Sequence, residues 1–522
     1  NDMNGAEALL RTLLDAGVDV CFTNPGTSEM HFVAALDRVP GMRCVLGLFE
    51  GVVTGAADGY ARIARKPAAT LLHLGPGLGN GLANLHNARR GDVAMVNIVG
   101  DHATYHLQYD TPLTSDVAAV AKPMSHWVHS AQSSGQLPAD AARAVAAALQ
   151  PPGQVATLIL PADVSWEECT GGPATMPGVP AARRVREDVI GQCAAALACG
   201  EPALILLGGH VSEQDLELAG RIAAACGARV GVETFPTRLP WGAGRAACEK
   251  IPYIPEFALA HLETVRRLVL VGATEPASFF AYPNLPGRLA HEECELLTLA
   301  EPHHDRIDAL QRLAEAMDAP ALEPARNPLA LPALPAAGAL STAAVGDIIA
   351  ALLPEQAIVV DEGITGGFEV FERTRTARAH EWIMQTGGSI GWGLPAATGA
   401  AIAAPGRKVV CLEGDGSAMY TIQALWTMAR EQLDVTVVLF ANRDYAILQL
   451  EYQRVGASGM GTRARSMLHI GNPDIDFVAL AQSLGVAATR AHDTVEFTAQ
   501  FAEAMAARGP RLIETMMPAL GL

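Results

Sequence analysis

The sequence has no surplus of basic charge, no closely paired cysteines and no apolar run long enough to span a membrane. With 37 Lys and Arg against 55 Asp and Glu, the net charge is −18. That balance, with no basic stripe to offset it, argues against a nucleic-acid or anionic-membrane partner. The nine cysteines form no CxxC pair and no Cys/His cluster of zinc spacing, so they read as small buried hydrophobes in a reducing cytosol. No signal-peptide pattern opens the chain: Ala6, Leu9, Leu10, Leu13 and Leu14 fall at helical spacing and Gly17 ends that helix. These absences predict a cytoplasmic protein without a membrane span. No short-period repeat is present, which excludes a solenoid. The glycines at 75, 77, 79 and 81 also fail the dinucleotide fingerprint, because GxGxxG begun at Gly75 meets Asn80 and begun at Gly77 meets Leu82.

What is present is length and apolar patterning. The 522 residues, half of them hydrophobic, suffice for about three domains with cores of their own. Apolar strands are expected at 18–22, 43–49, 69–73, 93–99 and 155–160, separated by helical stretches. Near-continuous apolar strands with helical crossovers indicate a buried parallel sheet. A second α/β set follows, with strands near 203–207, 229–232 and 267–271. Pro/Ala/Gly-rich stretches near 167–184 and 319–338 read as linkers. The expected domains are therefore 1–166, 185–318 and 340–522, each α/β with mainly parallel strands.

The stretch VVCLEGDGSAMYTIQALWTMAREQLDVTVVLFANRDYAIL carries the most specific chemistry. It reads as strand, Gly-Asp-Gly turn, helix, strand, and an Asn past the second strand's end. A strand-helix-strand unit sets the two strand ends side by side, at the carboxyl edge where open α/β sheets bind ligands. Asp415, Asn442 and a nearby backbone carbonyl are hard oxygen donors suited to Mg²⁺. Gly414 and Gly416 let backbone N–H groups approach a phosphate, helped by the positive end of the helix that follows.

This motif, GDG followed 27 positions after Asp415 by Asn442, resembles the diphosphate-binding motif of thiamine diphosphate (ThDP) enzymes. LFEGVVTGAADGYAR, around Glu50, is similar to the segment of that family whose glutamate exchanges a proton with the cofactor's aminopyrimidine. A carboxylate at a helix start has an ordinary explanation in the helix dipole, but the combination favours catalysis. MQTGGSIGWGLPAATGAA resembles the family segment in which a bulky aliphatic residue wedges between the cofactor's two rings; that makes Ile390 the wedge and the Gly388 carbonyl the acceptor for the 4′-amino group. The resemblance also implies Asp415, Asn442 and the carbonyl of Asp444 as metal ligands, with Thr365, Gly414, Gly416 and Ser417 toward the diphosphate.

The resemblance spans the whole chain in family order: pyrimidine-binding, central and diphosphate-binding domains. The relatives it indicates are the ThDP-dependent 2-oxo acid decarboxylases and the acetolactate (acetohydroxyacid) synthases. Asn24-Pro25-Gly26-Thr27 and His73 resemble active-site positions of benzoylformate decarboxylase, whereas the GPG of residues 75–77 with Asn80 looks like an acetohydroxyacid synthase loop. Phe279 and Phe280 fall where benzoylformate decarboxylase has its second catalytic histidine, and Leu448 stands where pyruvate decarboxylase has a carboxylate. Glu451 stands near the tryptophan with which acetohydroxyacid synthase selects its second substrate. A missing proton donor favours carboligation. The expectation is a ThDP- and Mg-dependent, acetolactate-synthase-like carboligase acting on a small 2-oxo acid, with a benzoylformate-type decarboxylase as the alternative and an inactive structural homologue as a third. Thr27, His73, His102, Phe279, Phe280, Ile447 and Leu448 are expected around the substrate. The resemblance further implies a homo-oligomer, dimer or tetramer, with sites between subunits; no FAD motif is legible.

Overall fold

The computed structural model describes residues 3–519. Three sheets organise it, and in each the continuous apolar strands are flanked by helices. The first sheet is parallel, in the order Arg43–Leu46, Val20–Thr23, Ala68–His73, Met95–Asp101, Val155–Pro161, Trp127–Ser130. The second, also parallel, runs Glu249–Lys250, Arg229–Val232, Ala203–Leu207, Arg267–Val271, Glu295–Ala300. The third runs Ala487–Ala491, Arg511–Met516, Val435–Ala441, Val409–Gly414, Ile358–Glu362, His380–Met384, Leu239–Trp241. Its last member is antiparallel and comes from the stretch between two strands of the second sheet.

The strand orders create the functional edges. In the first sheet the chain leaves Val20–Thr23 to one side and returns on the other as Ala68–His73, so the ends of these strands flank a topological switch point. In the third sheet the switch falls between Ile358–Glu362 and Val409–Gly414. Thr27 and His73 lie at the strand ends of the first switch point, and Thr365, Gly414 and Asp415 at those of the third sheet's.

The first and third sheets are joined by two helices, Glu50–Ala64 and Gly393–Ala403, which cross at very short range. A Cβ on Gly59 would lie 2.1 Å from the Ala396 carbonyl oxygen, and one on Gly399 would lie 1.8 Å from that of Ala56. Glycine at both positions is what lets the backbones touch. At the same crossing the Arg62 guanidinium, wholly buried, pairs with the equally buried Asp58 at 2.7 Å and donates to the carbonyls of Thr237 (2.9 Å) and Met384 (2.5 Å). Trp392 Nε1 donates to Asp58 at 2.9 Å, and Arg62 stacks 4.7 Å above the Trp392 ring. Asp58 is thus compensated by Arg62 and Trp392, as a buried charge must be.

Candidate active site

Asp415 and Asn442 lie on neighbouring strand ends, as the strand-helix-strand reading requires, for Gly414 pairs in register with Phe440. Arg443, with φ 62°, turns the chain sharply after Asn442. Its N–H donates to Asp415 Oδ2 at 2.7 Å, Gly416 N–H donates to Oδ1 at 2.9 Å, and Asp444 N–H donates to Asn442 Oδ1 at 3.1 Å. Asp415 is 3 % exposed. Burial pushes its pKa up to about 6, with the Asp444 carboxylate adding to the rise and the backbone donors opposing it. A buried carboxylate bonded to backbone N–H groups and facing a second acid is a donor set that fits a hard divalent cation. Asp444 is itself held by His469, whose Nδ1 lies 2.8 Å from its Oδ1.

The phosphate side differs in one respect from expectation. The helix after Gly414 is a single turn, Asp415–Ala418, and the longer helix begins only at Ala424. Backbone N–H groups are available there, but one turn sums few peptide dipoles. A Cβ on Gly416 would meet the Tyr445 ring at 2.4 Å, so a side chain is excluded at that position. Ser417 is buried, and Thr365 is half-buried in the short turn Ile364–Gly367 at the adjacent strand end.

Gly388 and Ile390 belong to the segment between His380–Met384 and Gly393–Ala403, with Gly388 at φ 79° and Gly391 at φ 96°. This segment is fastened from two directions. From the first sheet's side, Asn87 Nδ2 donates to the Ser389 carbonyl (2.8 Å), His86 Nε2 to that of Gly387 (2.8 Å) and Asn84 Nδ2 to that of Gly391 (3.1 Å). From its own sheet, Glu362 accepts from Gly391 N–H and Trp392 N–H at 3.1 and 3.0 Å. The Phe279 ring rests on Gly388, where a Cβ would lie 2.6 Å from its Cζ. Phe279 packs with Phe280, Phe235 and Tyr253, with centroids 4.8 to 5.8 Å away.

Glu50 is the first residue of its helix, half-buried, and accepts from Asn80 Nδ2 at 2.7 Å. The glycine-rich stretch that supplies Asn80 is helical, not a loop: Leu74–Arg90 forms one helix, with Pro76 in the first turn, where proline is tolerated. Small residues there permit close packing on Glu50–Ala64; a Cβ on Gly81 would approach the Glu50 carbonyl at 3.4 Å and Thr54 Cγ2 at 2.9 Å.

His73 ends its strand, and its Nδ1 lies 2.8 Å from Glu29 Oε2. Glu29 also accepts from Gly26 N–H at 2.7 Å, and burial raises its pKa, with His73 and that N–H opposing. Thr27 opens the turn that carries Glu29 and is exposed; the turn is capped by Gly26, so Thr27 is not its N-cap. His102 follows the neighbouring strand end and lies near His106, with centroids 5.8 Å apart and the rings tilted. Ile447 and Leu448 lie in the first turn of the helix Ala446–Arg454, half-buried and exposed respectively. Glu451, on that helix, accepts from Tyr282 Oη at 2.7 Å and Tyr253 Oη at 3.4 Å. Glu29, Asn84, His86, Asn87 and the tyrosine partners of Glu451 were not legible as site residues in the sequence. Each acts through a contact between distant positions.

Residues 3–128 match the family described as thiamine pyrophosphate enzyme, N-terminal TPP binding domain, and residues 365–515 match thiamine pyrophosphate enzyme, C-terminal TPP binding domain. The chain is 53 % identical over 520 residues to a Mycobacterium tuberculosis protein named "Putative acetolactate synthase large subunit IlvX", covering 99 % of this chain and 100 % of that one. It is 29 % identical over 527 residues to benzoylformate decarboxylase of Pseudomonas aeruginosa, covering 95 % and 96 %. The Rhodococcus jostii RHA1 ThDP-dependent 4-hydroxybenzoylformate decarboxylase shares the fold, with a TM-score of 0.86 at 24 % identity over 99 % of both chains. The chain belongs to the thiamine pyrophosphate (thiamine diphosphate) enzyme family, as an enzyme of lyase or transferase type.

Proposed function

We propose that this enzyme removes CO₂ from a small 2-oxo acid, using ThDP and Mg²⁺, and joins the remaining fragment to a second carbonyl compound, as an acetolactate synthase does. The observation that carries this reading is the Phe279 ring on Gly388, with Phe280 packed edge-on against Phe279. By the resemblance, these rings stand where benzoylformate decarboxylase has its second catalytic histidine, and neither can donate a proton. The 53 % likeness to the acetolactate-synthase-named protein supports the same choice.

In this reading residues 1–166 form the pyrimidine-binding domain, 185–318 the central domain and 340–522 the diphosphate-binding domain, in a cytoplasmic homo-oligomer, dimer or tetramer. Asp415, Asn442 and the Asp444 carbonyl hold Mg²⁺, while Thr365, Gly414, Gly416 and Ser417 receive the diphosphate. The Gly388 carbonyl and Ile390 orient the aminopyrimidine. When bound, ThDP supplies the electron sink for carbon–carbon cleavage. Glu50 holds and returns a proton at its carboxyl oxygen, steadied by Asn80. Thr27, His73, His102, Phe279, Phe280, Ile447 and Leu448 surround the substrate.

A second reading, release of an aldehyde, is favoured by one observation: the Glu29–His73 contact orients an imidazole suited to proton transfer. The test of the proposed cofactor and substrate class is CO₂ release from pyruvate and from benzoylformate, each with and without ThDP and Mg²⁺. ThDP- and Mg²⁺-dependent CO₂ release supports the proposal, and absence of CO₂ from both would remove it.

A further inference from the structure

Cys21 and Cys44 are direct register partners on neighbouring parallel strands. Partners in register share a face of the sheet, and strands in this arrangement run about 4.8 Å apart. That spacing lies inside the Cα window of roughly 4.4–6.8 Å that a disulfide accepts. Both cysteines are free thiols. They differ in access: Cys21 is wholly buried among Leu9, Phe32 and Val39, whereas Cys44 is half-buried on Arg43–Leu46, the edge strand.

We propose that Cys44 and Cys21 form a peroxide-reactive dithiol, in which the accessible Cys44 is the attacking thiolate and the buried Cys21 resolves it to a disulfide. The Cys44 thiolate attacks one oxygen of a hydroperoxide; the S–O bond forms, the O–O bond breaks, and the leaving oxygen departs as an alcohol or water after taking up a proton. Cys21 sulfur then attacks Cys44 Sγ, forming S–S and breaking S–O, and its proton leaves with the hydroxyl as water. Two thiols are oxidised and one peroxide is reduced. The environment favours this division of roles, since the neighbouring Cys21 thiol lowers the Cys44 pKa, while the same neighbour and burial raise that of Cys21. An accessible, acidified thiol beside a resolving partner is the arrangement that peroxide selects. Among the described residues no other two cysteines face each other across a strand register.

The consequence lies three residues downstream on each strand, where Asn24 Nδ2 donates to the Gly47 carbonyl at 2.8 Å. One strand runs on to Gly26, Thr27 and Glu29, the other to Glu50. The bond would clamp the two arms that deliver these groups.

The test is mass spectrometry of the purified full chain, digested with trypsin without reduction after hydrogen peroxide treatment. Trypsin cuts after Arg11, Arg38, Arg43 and Arg62, which places Cys21 and Cys44 on separate peptides, each with one cysteine. The expected result is a cross-linked pair of these peptides, with the Cys21 and Cys44 thiols lost together and restored by dithiothreitol. In Cys21→Ala, dimedone should label Cys44 instead. A Cys44 left unlinked and unlabelled once the exposed Cys199 has been oxidised would overturn the proposal.

Discussion

His73 Nδ1 lies 2.8 Å from the Glu29 carboxylate, so the buried acid fixes which ring nitrogen carries the proton and which faces outward. A Cβ on Gly26 would fall 2.3 Å from the His73 ring, so the NPG turn also holds the imidazole in place by contact. Glu29→Gln should leave the fold intact and lower kcat/KM by up to about 100-fold, the lower end of what a general acid–base group contributes. Steady-state kinetics should show the fall; an unchanged kcat/KM would mean that the contact is structural only.

Glu50→Gln should still bind ThDP and Mg²⁺ and should lose roughly 100- to 10,000-fold in turnover, the range of a lost proton-transfer group. Asn80→Ala should cost less, because it removes only the donor to Glu50. Calorimetry for binding and a CO₂ assay for turnover separate the two effects, and full activity in Glu50→Gln would remove that residue from the chemistry.

Mg²⁺ affinity should depend on pH through Asp415. Its folded pKa, about 6, is raised above the unfolded value, so this group's contribution to apo-protein stability is present below about pH 4 and lost as pH rises through 6. The metal needs the ionised form. Below pH 6 it must displace a proton, and apparent affinity should fall about tenfold per pH unit. Titration calorimetry at several pH values checks this, and pH-independent affinity from 5 to 7 would contradict the assignment.

Gly59→Ala should destabilise by roughly 1–3 kcal/mol or more, because its Cβ would meet the Ala396 carbonyl oxygen at 2.1 Å, and backbone cannot yield as a side chain can. Urea unfolding should show a lower midpoint with an unchanged slope. A wild-type midpoint would show that the crossing helices have room to separate.

The strands 203–207, 229–232 and 267–271 were readable residue for residue, because each is a short apolar run buried on both faces. Trp127–Ser130 was not, since WVHS is half-buried at a sheet edge and carries no apolar run. Leu239–Trp241 was hidden by its length and by Pro240, and only the third sheet's free edge gives it a partner. Gly75 to Gly81 looked like a loop because glycine and proline are weak helix formers; packing against Glu50–Ala64 overrides that preference. The neighbouring placement of Asp415 and Asn442 was legible because spacing between consecutive strands sets it. Glu29, Asn84 and Asn87 were not, since nothing local distinguishes a polar residue whose partner lies elsewhere in the chain.

The most direct measurement is the identity of the product formed from pyruvate with ThDP and Mg²⁺, by chromatography with mass detection. Acetolactate, or another 2-hydroxy ketone when a second carbonyl compound is supplied, is the expected product. Acetaldehyde alone, with no carbon–carbon bond formed whatever acceptor is present, would contradict the carboligation reading.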